Sequence, residues 1–164
     1  MKTLKLLAVI LFVGFIAISC KKEGPAGKNG TNGNANVQVF GYSTHLFNWD
    51  NGYSVSYSPA GLSSESIFSS VIYIYYTELP GIWHVANGLG PNGDYATIQY
   101  MVGGVAPYVS VYLMTPEGNF YSGTDVTWDS ARVFFVPATV LKNAEYHNID
   151  FDNYEAVSAC FDVR

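Results

Sequence analysis

The sequence predicts an all-β fold for residues 37–164, an antiparallel β-sandwich of about seven to nine short strands with a short C-terminal helix. Aromatic residues make up 16% of the chain and include 13 tyrosines, a residue type that favours strands. Short apolar or alternating runs are separated by glycine, proline and asparagine turn signals, at intervals typical of a sandwich.

The first three predicted strands cover residues 37–42, 53–58 and 68–77. In the second, YSVSYS alternates large and small side chains, the period of a strand with one buried face. The third contains VIYIYYT and is almost continuously apolar. Such a run predicts a central strand that is covered on both faces.

Turn signals mark the next two strands. Leu79-Pro80-Gly81 predicts a turn, because proline presets φ and glycine accepts positive φ, and IWHVAN then returns as the partner strand. Asn87-Gly88 and Asn92-Gly93 are turn signals that precede a predicted strand over residues 95–102.

The strand predicted over residues 108–114 alternates cleanly. One face carries Val109, Val111 and Leu113, and the other carries Tyr108, Ser110, Tyr112 and Met114. Pro116-Glu117-Gly118 predicts the turn that follows it. A later strand over residues 132–136 is expected to stop at Pro137, which cannot donate to a sheet.

The only predicted helix lies at the C-terminus. Asp152 and Glu155 have the spacing of a capping box, which predicts a helix running to about Phe161. At helical spacing, one face carries Ala156, Val157, Cys160 and Phe161. We therefore expect Cys160 to be a small buried hydrophobic residue rather than a reactive thiol.

Residues 1–19 predict a secretory signal peptide. Two lysines precede an apolar run of 13 residues that ends at Ile18. A transmembrane helix needs about 20 apolar residues, so this run is too short to span a bilayer. The chain is therefore expected to leave the cytoplasm.

The end of this leader, Ala17-Ile18-Ser19-Cys20, resembles the lipobox of bacterial lipoproteins. The resemblance implies cleavage before Cys20, acylation of its thiol and new amino group, and an outer-membrane location on either leaflet. Ala17 stands where the family usually has a large aliphatic residue. An ordinary signal peptide would be cut at the same place without lipid, and that alternative stays open.

Residues 20–36 predict a flexible linker. Gly24, Gly27, Gly30 and Gly33 repeat with the period of collagen, but Pro25 is the only imino acid available to hold a triple helix. A monomer is therefore expected. The linker would reach about 55 Å when fully extended and about 20 to 25 Å as a relaxed coil.

Charge divides the linker from the domain. After Asn36 the chain has three basic and twelve acidic residues, a balance of minus nine. Such a domain is repelled by nucleic acid and by anionic membranes, so neither is an expected ligand of the domain. Three lysines near Cys20 can instead face anionic lipid headgroups.

The chain as a whole resembles uncharacterised Bacteroidota-type secreted lipoproteins with a short collagen-like head and a β-rich domain. The resemblance rests on the lipobox, the Gly-x-y head, Trp83 after the central strand, the late strand ARVFFVP and the terminal IDFDNYEAVSACF. It implies an envelope lipoprotein without a named reaction or catalytic residues. It also implies O-glycosylation at Ser130 in Asp-Ser-Ala, where the alternative is an ordinary turn before a strand.

Motifs for catalysis and cofactors are absent from the sequence, so no enzyme, catalytic residue or cofactor is predicted. His45, His84 and His147 are isolated in sequence. Asp150, Asp152 and Glu155 offer alternating oxygen ligands for calcium, but their spacing departs from that of an EF-hand. The capping box explains two of the three carboxylates without a metal, so calcium remains a minor alternative.

Aromatic residues give the strongest functional indication. Trp49, Trp83, Tyr108 and Tyr112 could stack sugar rings, as in many β-sandwich modules, or could simply fill the core. The sequence therefore predicts a non-catalytic interaction or structural domain on a membrane anchor, which could bind another envelope protein. A surface glycan-binding lipoprotein is the first alternative. A hydrolase with two facing carboxylates is the second.

Overall fold

The structure, a computed structural model, describes residues 36–141 and 148–163. Its strands are β1 (Gln38–Tyr42), β2 (His45–Phe47), β3 (Ser54–Tyr57), β4 (Ser70–Leu79), β5 (Ile82–Val85), β6 (Ala96–Val102), β7 (Tyr108–Met114), β8 (Val126–Trp128) and β9 (Ser130–Pro137). Its helices are α1 (Ser64–Phe68), α2 (Ala138–Leu141) and α3 (Tyr154–Cys160), with a 3-10 turn over Trp49–Asn51. Over these two ranges, every helix is too short or too polar to cross a bilayer.

The strands form antiparallel sheets. Four strands pair in the order β1-β9-β4-β5, three pair in the order β3-β7-β6, and β2 pairs with β8. The prediction of an all-β fold with a short C-terminal helix is confirmed. The turn at Pro80-Gly81 connects β4 to β5 as expected, and Gly81 has a φ of 83°.

The main core lies between the four-stranded and the three-stranded sheet. Ile72, Ile74 and Tyr76 of β4 belong to one buried cluster with the predicted inward face of β7, which is Val109, Val111 and Leu113. Trp128 is fully buried there and stacks on Tyr76, with ring centroids 3.8 Å apart. The predicted alternation of β7 is confirmed.

The other face of β4 is covered by the C-terminal segment. The Tyr75 hydroxyl donates to the backbone oxygen of Phe151 at 2.6 Å, and the ring of Tyr73 stacks on that of Phe151. Val157 and Phe161 of this segment are buried in a second apolar cluster. Because β4 lies between β9 and β5, the predicted central strand with two covered faces is confirmed.

Several predicted element boundaries are wrong. β9 begins at Ser130 rather than Arg132 and includes Pro137, and the short helices α1 and α2 were not predicted. Phe68 was expected to begin β4 but is the last residue of α1, a helix that begins after its N-cap Ser63, which accepts from the Ser66 amide at 3.1 Å. The N-cap of α3 is Asn153 rather than Asp152. Its side chain accepts from the Ala156 amide at 3.0 Å, so the helix begins one residue later than the capping box predicted.

Strand register defines two ends of the sandwich. At one, here called the Asn36 end, β1 and β4 begin and β9 ends, because Gln38 pairs with Phe135 and Ser70 with Pro137. A cleft lined by Asn36, Ser66 and Pro137 places α1 at this end. At the opposite end, here called the acidic end, the connecting segments and the end of β4 carry Asp50, Glu78, Asp94, Glu117, Asp125 and Asp129.

Candidate binding surface

The outer face of the three-stranded sheet has no charged side chain. Antiparallel pairing places Tyr100 opposite Ser110, Ile98 opposite Tyr112 and Val102 opposite Tyr108. Side chains alternate along a strand, so these positions face away from the core that holds Val109, Val111 and Leu113. The result is an aromatic and hydroxyl-bearing face, here called the tyrosine face and defined by Tyr100, Tyr108, Ser110 and Tyr112.

A groove of about 510 Å³ crosses this face, within the usual range for small-ligand sites. It is lined by Tyr100, Met101, Val102, Tyr108, Ser110, Tyr112, Met114 and Phe120. The rings of Tyr100 and Tyr112 meet edge to face, with centroids 5.7 Å apart and planes at 82°. The groove therefore offers single rings in different orientations rather than one flat platform.

Ser110 has a structural partner beneath the rings. Its hydroxyl lies 2.7 Å from that of Ser56 on the neighbouring strand β3. Ser110 is buried, whereas Tyr108 and Tyr112 on the same strand are half-buried. The two tyrosines are four residues apart, about 13 Å along the strand. A ligand could thus meet ring edges and faces on both sides of a hydroxyl pair.

A second groove, of about 440 Å³, adjoins the first at Phe120. It is also lined by Trp49, Gly52, Tyr53, Leu113 and Tyr121. Trp49 is 76% exposed and Phe120 is 83% exposed. Trp49 is held in its turn because the side chains of Asn48 and Asn51 each accept from the other's backbone amide.

Phe120 is the functional candidate that sequence reasoning missed. It follows the Pro116–Gly118 turn in a short segment without strand periodicity, so its sequence context indicates no role. An isolated bridge pairs Phe120 with Met114 and brings it back beside β7. The turn signal itself was visible in the sequence and could have suggested this return.

Trp83 does not belong to the tyrosine face. It lies in β5, on the opposite sheet, and its ring stacks on Tyr154 of α3 at 4.3 Å. The guanidinium of Arg132 lies 5.5 Å from the centroid of the Trp83 ring. The structure thus brings Tyr108, Tyr112 and, through Phe120, Trp49 to one surface, and leaves Trp83 in a structural contact.

Carboxylates line a third groove, at the acidic end. Its volume is about 210 Å³, and Glu78, Asp94 and Asp125 contribute to it. The Tyr95 hydroxyl donates to the Glu78 carboxylate, and it lies 3.1 Å from the hydroxyl of Tyr76. Burial raises the pKa of Tyr95 and raises the pKa of Tyr76 to about 12. The Glu78 carboxylate is therefore held by a hydrogen bond from Tyr95, a buried residue of the core.

The three carboxylates considered as an alternative calcium site, Asp150, Asp152 and Glu155, are not arranged to hold a metal ion. Asp150 accepts from the Asp152 backbone amide at 3.0 Å, and Glu155 lies in the first turn of α3. Over residues 36–141 and 148–163, no three His, Cys, Asp or Glu side chains are arranged to hold a metal ion. The hydrogen bond from the Asp152 amide to the Asp150 carboxylate closes a local turn and needs no metal ion.

The histidines are separate in space as well as in sequence. The His45 Nε2 lies 3.1 Å from the Ser54 backbone oxygen, and burial lowers the pKa of His45. His84 lies in a different sheet, where its ring packs at a tilt on Tyr76. His147 falls outside the described residues. The two described histidines both make structural contacts.

The structure describes Ser130 and Cys160 but not the predicted acylation site Cys20. Ser130 is the first residue of β9 and pairs with Thr77, so it begins a strand instead of lying in a preceding turn. Cys20, with the whole of residues 1–35, lies outside the described residues. Cys160 is half-buried rather than buried as expected, and it packs against the cluster under α3.

Comparisons with protein-family models, curated proteins and solved structures gave no match. The resemblance to Bacteroidota-type lipoproteins therefore stays a prediction.

Proposed function

We propose that this protein is an outer-membrane lipoprotein of the cell envelope whose β-sandwich is a non-catalytic interaction domain. The observation that carries the proposal is the tyrosine face, which lacks charge and lies beside the exposed rings of Trp49 and Phe120. A contiguous exposed aromatic surface of this kind marks an interaction site.

The chemistry of this face suits recognition. Tyrosine gives a large apolar ring and a polar hydroxyl at low entropic cost, since only two side-chain torsions have to be fixed. The Ser56–Ser110 hydroxyl pair adds hydrogen-bonding capacity at the centre. A ligand that is flat, uncharged and rich in hydroxyl or amide groups fits these features best.

Anchoring follows from the leader. Acylation of Cys20 would hold the protein firmly, because several acyl chains on one residue bind far more strongly than a single reversible chain. Mass spectrometry of the N-terminal peptide from the membrane fraction tests this directly. We expect acyl chains on Cys20 and release of the Cys20→Ser variant into the soluble fraction; unmodified Cys20 in membranes would contradict the anchor.

Binding is tested with the Cys20→Ser chain, which cannot be acylated. Envelope components captured by this chain should be lost from the double variant Tyr100→Ala and Tyr112→Ala. Leu79→Ala is the matched control, because Leu79 is exposed but lies in the β4–β5 hairpin, away from the tyrosine face. Equal capture by all three chains would contradict the role of the tyrosine face.

Glycan binding is the second candidate, favoured by the combination of aromatic rings and a serine hydroxyl in one groove. A glycan array with the Cys20→Ser chain should show binding that Trp49→Ala and Tyr112→Ala each weaken. Because Tyr100 and Tyr112 are perpendicular, each sugar ring would stack on a single side chain. A negative array across envelope and plant polysaccharides would leave a protein ligand as the remaining choice.

A further inference from the structure

The Asn36 end of the sandwich carries an exposed apolar tip, defined here by Phe68, Met101, Val102 and Val105. Phe68 is 58% exposed, and Val105 is fully exposed. A Cβ built on Gly103 would lie 2.5 Å from the Phe68 ring, so the end of α1 and the β6–β7 loop are in direct contact. The tip is thus one surface rather than scattered residues.

The tip is held in shape by a pair of hydrogen bonds. The Ser64 hydroxyl donates to the Gly104 backbone oxygen at 2.7 Å and accepts from the Gly104 amide at 2.9 Å. Gly104 has a φ of 132°, a conformation that other residues rarely adopt. The loop therefore presents Val105 outward in a defined position.

The chain that precedes the domain leaves from this same end. Asn36 lines a cleft with Ser66 of α1, and residues 20–36 are the predicted linker from the acylated Cys20. A relaxed linker of this length spans about 20 to 25 Å, so a lipid anchor keeps the Asn36 end close to the bilayer.

The charges of residues 36–141 are arranged in the same direction, whereas Asp150 and Asp152 of the C-terminal segment lie near Tyr75, beside the middle of β4. Within residues 36–141, Glu65 is the one acidic residue at the Asn36 end, and the other six lie at the acidic end. The ten residues of β4 put these ends about 30 Å apart, whereas the Debye length is about 8 Å at physiological salt. The six distant carboxylates are therefore screened from lipid headgroups.

We propose that the apolar tip inserts into the interface of the bilayer that holds the lipid anchor. The inference rests on the proposed acylation of Cys20 and adds a second, protein-mediated membrane contact. A short tether gives the tip a high effective concentration at the bilayer, so a weak apolar contact suffices. Insertion would stand the sandwich upright, with the Met101–Val102 end of the tyrosine-face groove at the bilayer interface and with Trp49 and the acidic end facing away from the membrane.

The test uses the acylated full chain in phosphatidylcholine vesicles with bromine on the acyl chains, which quench tryptophan. We expect Val105→Trp to add a quenched component that the parent chain lacks. Asn119→Trp, in the exposed turn after β7 at the acidic end, is the matched control and should add none. Combining Phe68→Glu with Val105→Trp should abolish the extra quenching.

Equal quenching of Val105→Trp and Asn119→Trp would overturn the proposal. So would a dimer of the parent chain by sedimentation that Val105→Asp dissociates, because a second copy would then cover the tip. If mass spectrometry shows no acyl chain on Cys20, the proposed anchor fails separately. Insertion of the tip is then measured by the same quenching experiment on a Cys160→Ser chain whose Cys20 is coupled to a maleimide lipid. Quenching of Val105→Trp but not of Asn119→Trp is again expected, and equal quenching would again overturn the proposal.

Discussion

The ring of Trp83 stacks on the ring of Tyr154 with centroids 4.3 Å apart and planes at 23°. Arg132 adds its guanidinium at 5.5 Å from one ring centroid and 5.6 Å from the other. These contacts join β5 and β9 to α3. The C-terminal helix is therefore an integral cover of the four-stranded sheet.

Removing this cover should destabilise the whole domain. We expect Tyr154→Ala to lower the free energy of unfolding by about 3 kcal/mol, since Tyr154 is buried and also contacts Tyr75 and Phe134. Urea denaturation measures the change. Tyr108→Ala, on the tyrosine face, should cost clearly less, and equal losses would show that α3 is not a cohesive part of the fold.

The N-cap of α3 can be tested by two neighbouring substitutions. Asn153→Ala should cost about 1 kcal/mol, because it removes the acceptor for the Ala156 amide. Asp152→Ala, at an exposed position, should change stability by less than about 0.5 kcal/mol. A larger loss of unfolding free energy in Asp152→Ala than in Asn153→Ala, measured by urea denaturation, would show that Asp152 is the N-cap after all.

How far the sequence predicts this fold depends on how local each signal is. The faces of β7 follow from the alternation of Val109, Val111 and Leu113 alone. The N-cap was misplaced because Asp152 and Asn153 are adjacent and cap helices equally well. The site was predicted in part. Tyr108 and Tyr112 were placed by strand period, but the setting of Trp83 depends on a helix about 70 residues further along the chain, which no local pattern reveals.

Alkaline pH should unfold the protein steeply. Burial raises the pKa of Tyr76 to about 12 and also raises the pKa values of Tyr57, Tyr75 and Tyr95, against about 10 in the unfolded chain. Between pH 10 and 12 the unfolded state releases protons that the folded state keeps. Stability is thus complete below pH 10 and falls as the pH rises.

A series of urea denaturations from pH 9 to 12 measures this fall. In Tyr76→Phe the free energy of unfolding should fall less steeply with pH. Unfolding should release about one proton fewer over this range, since one group that titrates differently in the two states is gone. A slope identical to that of the parent chain would show that Tyr76 ionises alike when folded and unfolded.

Ser64 should control the rigidity of the apolar tip without controlling global stability. Ser64→Ala removes both hydrogen bonds to Gly104, so hydrogen exchange at the amide of Gly104 should accelerate. Thr44→Ala is the control, because it removes one exposed bond to Asp129 at the acidic end. Unchanged hydrogen exchange at Gly104 in Ser64→Ala would show that these two hydrogen bonds do not hold the β6–β7 loop in place.

The pairing of β1 with β9 sets the order in which this chain can fold. Gln38 is opposite Phe135, so the four-stranded sheet cannot be completed until the chain has been synthesised beyond residue 135. Non-local pairing of this kind gives slow folding, in milliseconds to seconds. The sandwich therefore cannot close while its last strands are still on the ribosome.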